Sequence, residues 1–535
     1  MKRRLAPFLF LLSPIFACGN SAPFTGDAGP DASLADAGDA ATGCPTGQTS
    51  CSGTCVDTQT TATACGGCGR VCATGEACCG GACSSDPGCA LVVTSVTPGK
   101  SYVNGGTYIT LTGKGFAAGL RAYVGDGRAP VRVIDATTAL VLTPPAAIGN
   151  YDVHVAVGTS TATLPAAVTY RTEGFEKQWT EVSMSTPRGN FPAMTTLQDG
   201  RVLIVGGTAN TQPSSALASA EIYDPQSHTF QPTANDMTVP RYATAAITLL
   251  DGRALIVGTC NIPTGTGCQT SGDRAVADLF DPATNKFAQA KGTVVDTTRV
   301  YIQPTLLPDG RVLITSNGKA TAEIFDPSTE MFTTLSITSS NGSFGLPARL
   351  RDGRVVFLST ATSEVYDPDA STLAPLNAPL PHGAVAVLTM PDGRVMSPGG
   401  ADALNGNNTP TDQIAVVDVG KPQVTTLGQT LSSPRLKFAS ALLGDGTVMV
   451  AGGVDAPYPV TYGCQSNTFP TTNAVDVIDG VSGNVTAFPA LNDDNMELVS
   501  AQLLDGSIIV GGGSPCNGAG AYPYVYFLKS VPPPN

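Results

Sequence analysis

The stretch DGRVLIVGG at 199–207 recurs as DGRALIVGT at 251–259, DGRVLITSN at 309–317 and DGRVVFLST at 352–360. It returns as DGRVMSPGG at 392–400, DGTVMVAGG at 445–453 and DGSIIVGGG at 505–513. Asp-Gly is a favoured two-residue hairpin turn because the tight turn needs positive φ, which glycine adopts without steric cost. An apolar run such as Ala243 to Leu250 precedes each turn and a V-x-V-type run follows it, so each phrase reads as two antiparallel strands. A second phrase follows each first one: EIYDP at 221–225, DLFDP at 278–282, EIFDP at 323–327 and EVYDP at 364–368. It weakens to AVVDV at 415–419, DVIDG at 476–480 and YVYFL at 524–528. This is a third strand, ending in the turn to a fourth. Seven copies, 40 to 60 residues apart, have the period of propeller blades, one four-stranded sheet per repeat.

The repeat resembles the Kelch motif across residues 175–531, which implies a seven-bladed Kelch-type, galactose oxidase-like β-propeller. Closure is also legible. Trp179, in KQWTEV, stands where a fourth strand belongs, yet no first three strands precede it, and the seventh repeat stops after its third strand near Ser530. The N-terminal strand is therefore expected to complete the last blade, pairing two edges that would otherwise stay exposed. Loops between strands two and three are short in blades three and four and long in the other five, all on one rim. Cys260 and Cys268 fall in the blade-two loop, and Cys464 and Cys516 in those of blades six and seven. Two loop-stapling disulfides are expected from these four cysteines.

The remaining chain divides by composition. Lys2, Arg3 and Arg4 precede a short apolar run, Leu5 to Phe16, and then Ala17-Cys18. Residues 1–17 read as a signal peptide. The run IFAC resembles a bacterial lipobox, which implies lipidation of Cys18 and an exported envelope lipoprotein, at the outer membrane or cell surface. Residues 18–43 are Asp, Ala, Gly and Pro with little to bury, a solvated tether. Residues 44–90 hold ten cysteines and few apolar residues, so covalent staples must replace a core. The spacing resembles the stigma-specific-protein-like cysteine repeat. The pairing stays open, and zinc on Cys65, Cys68, Cys72 and a fourth thiolate is the rival reading. Residues 91–171 alternate in strand fashion, as in Val153-His154-Val155-Ala156-Val157. Val96-Thr97-Pro98, Asn104-Gly105-Gly106-Thr107, Gly113, Gly115-Phe116 and Val168-Thr169-Tyr170 resemble the IPT/TIG domain, an immunoglobulin-like β-sandwich. The whole is expected to be all-β.

A net charge of −13, with no basic patch, argues against nucleic acid as a partner. Copper radical oxidases of the galactose oxidase type need a Tyr-His pair eight or nine residues before one DG turn. Those slots hold Ala243, Tyr301, Phe344, Ala384, Lys437 and Glu497 in blades two to seven, and the chain has only three histidines, His154, His228 and His382. No catalytic set, metal site or cofactor is expected, so the reading is not an enzyme. About ten residues before each DG turn stand Arg188, Arg241, Arg299, Gly342, His382, Arg435 and Asn495. As a ring at the channel mouth, the four arginines and His382 are candidate contacts for a carboxylate-bearing or sulfated ligand. The competing reading has each arginine packing across to its neighbouring blade and satisfying loop carbonyls there. The function expected is non-catalytic recognition or adhesion, with a protein or polysaccharide on the long-loop face and membrane contact through the lipid anchor alone. A divergent galactose-oxidase-like carbohydrate oxidoreductase and a structural envelope component are the alternatives.

Overall fold

A computed structural model describes residues 44–532, apart from 45–47, 59–60, 75, 80, 85–90, 211–214, 259–274, 403–406, 456–457, 460–470 and 515–520. The signal and tether, the lipidation candidate Cys18, the loop cysteines Cys260, Cys268, Cys464 and Cys516, and Cys89 lie outside the described residues. Within them the protein is all-β: a small disulfide-rich module, an immunoglobulin-like sandwich and a seven-bladed Kelch-type propeller. No described helix is long and apolar enough to cross a membrane.

The cysteine module contains two short hairpins, Thr49–Cys51 with Thr54–Val56 and Ala77–Cys79 with Ala82–Ser84. Disulfides join Cys44 to Cys55, Cys51 to Cys68, Cys65 to Cys78 and Cys72 to Cys83. Little apolar surface beyond Ala64 and the sulfurs of Cys65 and Cys78 is buried here. Closing loops of this length contributes about 3 kcal/mol each in the chain-entropy account, so the staples stand in for a core. All three cysteines of the rival zinc reading are consumed in disulfides. That corrects the zinc reading: an oxidised sulfur has no thiolate to offer a metal.

The sandwich packs a four-stranded sheet against a five-stranded one. In strand Tyr108–Lys114 alternate residues point inward, the period-two pattern of a sheet with one wet face. Ile109, Leu111, Val141, Val153 and Val155 are fully buried between the sheets, and the Tyr170 hydroxyl donates to Pro144 O at 2.8 Å.

In blade two, strands Thr244–Thr248, Ala254–Gly258, Asp278–Asp281 and Lys286–Gln289 pair in order, and the other blades repeat this order. Second strands such as Val202–Val205 and Val355–Leu358 are buried throughout. First strands such as Thr244–Thr248 and Val499–Gln502 are mostly half-buried, because they line the central channel. The ring closes as the sequence implies. Strand Thr180–Ser183 pairs antiparallel with Tyr524–Leu528, the third strand of blade seven. Trp179 packs against Phe488 and Tyr526 and donates its indole N–H to Pro489 O at 2.7 Å.

The sandwich caps the face that carries the DG turns. Val131 N–H donates to Pro308 O at 3.0 Å, Arg128 N–H to Arg351 O at 2.6 Å, and Asn104 Nδ2 to Leu442 O at 3.0 Å. Arg128 forks onto the Asp369 carboxylate and Arg351 reaches Asp126. These partners belong to blades three, four and six, so the sandwich spans the channel floor.

Candidate binding site at the channel mouth

The arginines of the ring stand where the repeat puts them, at the start of the innermost strands, but their guanidiniums turn into the blade. Arg188, Arg241 and Arg435 are 0% exposed and Arg299 is 2% exposed. Each pairs with the carboxylate that opens strand three of its own blade. Arg188 meets Glu221 at 3.3 Å, Arg241 meets Asp278 at 3.0 Å, Arg299 meets Glu323 at 2.9 Å and Arg435 meets Asp476 at 2.5 Å. The same guanidiniums donate to carbonyls at the base of the strand two–three loop: Ser219 O at 2.7 Å, Val276 O at 2.8 Å, Thr321 O at 2.8 Å and Ala474 O at 2.7 Å. The carboxylates in turn accept the backbone N–H of Ser185, Thr238, Val295 and Ser432 on the crossing from the preceding blade. Burial pulls the pKa of Arg188, Arg241 and Arg435 down and the paired carboxylate pushes it back up.

The arginines satisfy loop carbonyls, as one of the two readings had it, but those of their own blade and not of the neighbouring one, because the carboxylate that opens strand three of the same blade draws the guanidinium inward. The charge of each is already matched inside the blade. Where the arginine is replaced, the arrangement changes. Blade four has Gly342, and Glu364 accepts the Ser340 N–H and hydroxyl at 2.8 Å instead. Blade five has buried His382, Ala415 stands in the acidic slot, and neither ring nitrogen meets hydrogen-bond geometry with a described residue. Blade seven has Asn495, which donates to Gly512 O at 2.9 Å. Aligning the repeats on one another, rather than reading the arginines alone, would have exposed the acidic partners.

The residues that do face the mouth come two positions after the arginine, or three in blade one. Phe191, Ala243, Tyr301, Lys437 and Glu497 all have positive φ, between 47° and 60°. For bulky, non-glycine residues this is an uncommon conformation that costs on the order of 1–3 kcal/mol each. Neighbouring blades hold it in place: Thr244 N–H donates to Phe191 O at 3.1 Å and Glu497 N–H to Lys437 O at 2.7 Å.

Four of these side chains meet, although they come from blades one, three, six and seven. Phe191 and Tyr301 stack edge to face, with ring centroids 5.7 Å apart. Lys437 Nζ lies 5.5 Å from the Phe191 centroid and 2.7 Å from Glu497 Oε1. Glu497 is only 4% exposed, and its Oε2 accepts no hydrogen bond from the described residues. Tyr301 keeps 38% of its surface exposed. Exposed Tyr301 offers a ring face for stacking, and Lys437, anchored by the buried Glu497 carboxylate, offers an ammonium that can donate to a hydroxyl or carboxylate. Sequence reading singled out Tyr301, Lys437 and Glu497 only as slots lacking a Tyr-His pair, and did not name Phe191. Their convergence depends on ring closure.

The loop rim above the mouth is partly described. The hairpin of blade five runs on from Val395–Asp402 into Asn407–Asp418 and pairs with Tyr458–Pro459 in the blade-six loop. The three histidines do not converge. His154 bonds Thr163 in the sandwich, His228 bonds the Tyr223 hydroxyl in a strand three–four turn, and His382 is buried in blade five.

Residues 91–171 match the IPT/TIG domain family. Residues 195–237 match the Kelch motif. No curated protein matches the chain. Among solved structures, that of YjhT is 14% identical with a TM-score of 0.40, covering 65% of this chain and 98% of its own. A fungal alcohol oxidase of the AA5 family, solved in complex with copper, is 14% identical with a TM-score of 0.36, covering 83% of this chain and 74% of its own. The Kelch and IPT/TIG units together suggest a protein-interaction or adhesion role.

Proposed function

We propose that the protein is a non-catalytic recognition or adhesion module of the bacterial cell envelope, exported and lipid-anchored through Cys18, that binds a glycan or protein on the long-loop face of its propeller. The observation that carries the reading is the asymmetry of the two faces. The sandwich covers the DG-turn face, whereas the opposite mouth gathers strained Phe191, Tyr301, Lys437 and Glu497, with the Tyr301 ring exposed and the Lys437 ammonium held by the buried Glu497 carboxylate. Strain held by surrounding structure is a reason to look for function. In this reading Arg188, Arg241, Arg299 and Arg435 serve binding indirectly, by pinning the loop bases and the strand starts from which the mouth residues project.

The test is binding of the full chain to a panel of neutral and acidic polysaccharides, with cross-linking to whole-cell surface proteins in parallel. Selective binding that Tyr301→Ala and Glu497→Gln each reduce tenfold or more, with an unchanged melting temperature, supports the proposal. Binding that ignores both substitutions removes the mouth from the reading. Copper uptake with peroxide release from a sugar alcohol would replace it with an oxidase.

A further inference from the structure

Arg349 ends the first strand of blade four, Leu346–Arg349, on the channel floor beneath the sandwich. Every other described arginine of the propeller forms a salt bridge. Arg349 forms none among the described residues. Its guanidinium donates once, from Nη1 to Leu306 O at 3.2 Å, although it carries five N–H groups. Burial lowers its pKa to about 10, which still leaves it charged at neutral pH. Arg349 is half-buried and its charge has no counter-charge among the described residues, and native proteins seldom leave a partly desolvated cation unmatched.

Arg349 borders a half-open cavity of about 320 Å³ between the sandwich and the propeller. From the sandwich side the cavity is lined by Tyr108, whose phenol is pushed up to about 12 by burial and therefore remains a donor. The Tyr108 hydroxyl makes no hydrogen bond with the described residues, whereas the neighbouring threonines satisfy one another. Thr195 and Thr248 hydroxyls lie 2.9 Å apart, Thr248 donates to Thr196 O at 2.8 Å and Thr196 to Gln502 O at 2.5 Å. Arg349 therefore supplies the charge of the chamber and Tyr108 a hydroxyl donor beside it, within walls that also include Tyr102, Gln502, Leu142, Ile247 and Leu306.

We propose that this chamber binds a small monocarboxylate, whose carboxylate takes a forked pair of hydrogen bonds from Arg349 and a third from the Tyr108 hydroxyl, with its apolar body against Leu142, Ile247 and Leu306. One cation matches one negative charge, and the planar fork of a guanidinium matches a carboxylate. The volume falls at the small end of the range for ligand pockets. The site lies at the opposite end of the channel from the mouth, so it stands or falls independently of the recognition reading.

Benzoate titrated calorimetrically into the full chain is the test, with benzamide as its uncharged isostere and chloride and phosphate as competing anions. The expected result is saturable 1:1 binding of benzoate, at least tenfold weaker in Arg349→Gln, several-fold weaker in Tyr108→Phe, and undetectable for benzamide. If Arg349→Gln fails to fold, the benzamide comparison and Tyr108→Phe decide the matter. No binding of benzoate, equal binding of benzamide, affinity unchanged in both variants, or displacement by chloride at equal concentration would overturn the proposal.

Discussion

The clasp between Arg241 and Asp278 makes a quantitative prediction about what holds the blades together. Both side chains are 0% exposed. Arg241 donates to Gly258 O at 3.2 Å, Val276 O at 2.8 Å and Asp278 Oδ2 at 3.0 Å, and Asp278 Oδ1 accepts the Thr238 N–H at 3.0 Å and its hydroxyl at 2.5 Å. Removing one partner strands a buried charge, which costs about 3–5 kcal/mol. The two single substitutions are not equivalent. A carboxylate left alone can take up a proton, whereas a guanidinium cannot lose one near neutral pH. Asp278→Asn should therefore fall near the upper end of that range. Arg241→Met should fall near the lower end and cost less as the pH is reduced. The double variant buries no charge but leaves two carbonyls without their donor, at roughly 1–3 kcal/mol each. It should be less damaging than the two single losses added together, by about 1–3 kcal/mol of coupling. At about 2.1 cal/mol/K per residue, a propeller of roughly 350 residues has an unfolding entropy of about 0.7 kcal/mol/K, so each single loss shifts Tm by about 4–7 °C. Differential scanning calorimetry of the four proteins measures the cycle. Additive losses within about 0.5 kcal/mol would refute the idea that the clasp acts as a charge-matched unit.

Three further outcomes are expected. Trp179→Ala removes the ring that seals blade seven and should destabilise the propeller by about 3–5 kcal/mol; because it is the chain's one tryptophan, wild-type fluorescence should report closure, and an unchanged urea midpoint in the variant would contradict the ring account. Burial holds the His382 imidazole below its ordinary value, with the Gly383 backbone contact acting the other way. The unfolded chain therefore binds that proton more readily, and stability is complete above about pH 6.5 and declines as pH falls below it. His382→Gln should lose less stability than wild type between pH 7.5 and 5.5, and parallel losses in urea would refute the assignment. Arg128→Ala breaks the fork to Asp369 that ties the sandwich to blade four, and should weaken the cap by about 1–3 kcal/mol. Limited proteolysis within 171–180 should accelerate in the variant, and an unchanged rate would mean the backbone contacts alone hold the cap.

How much of this was legible in one dimension follows from the range of each interaction. The DG turns, the strands flanking them and their sevenfold recurrence are local features, because a hairpin turn and period-two alternation depend on residues close in sequence. Ring closure was legible too, since a lone fourth strand before the first repeat and a missing one after the last have a single economical solution. The sandwich was readable from its alternation and turn residues in the same way. The arginines were visible as a repeated feature, but their direction was not. Whether a guanidinium faces the channel or its own blade depends on a carboxylate some 25 to 40 residues downstream.

Only the tertiary structure brings Phe191, Tyr301, Lys437 and Glu497 together, because their sequence separations are set by whole blades and their meeting point by the closed ring. The same holds for Arg349, an ordinary arginine at a strand end in the sequence. Its lack of a counter-charge among the described residues becomes apparent only when the sandwich docks over it and sets Tyr108 beside it. Repeats and turns report on the architecture because they are encoded by neighbours along the chain. The chemistry at either end of the channel is a matter of neighbours in space, and these residues acquire it only when seven separate segments and a capping domain have closed around one axis.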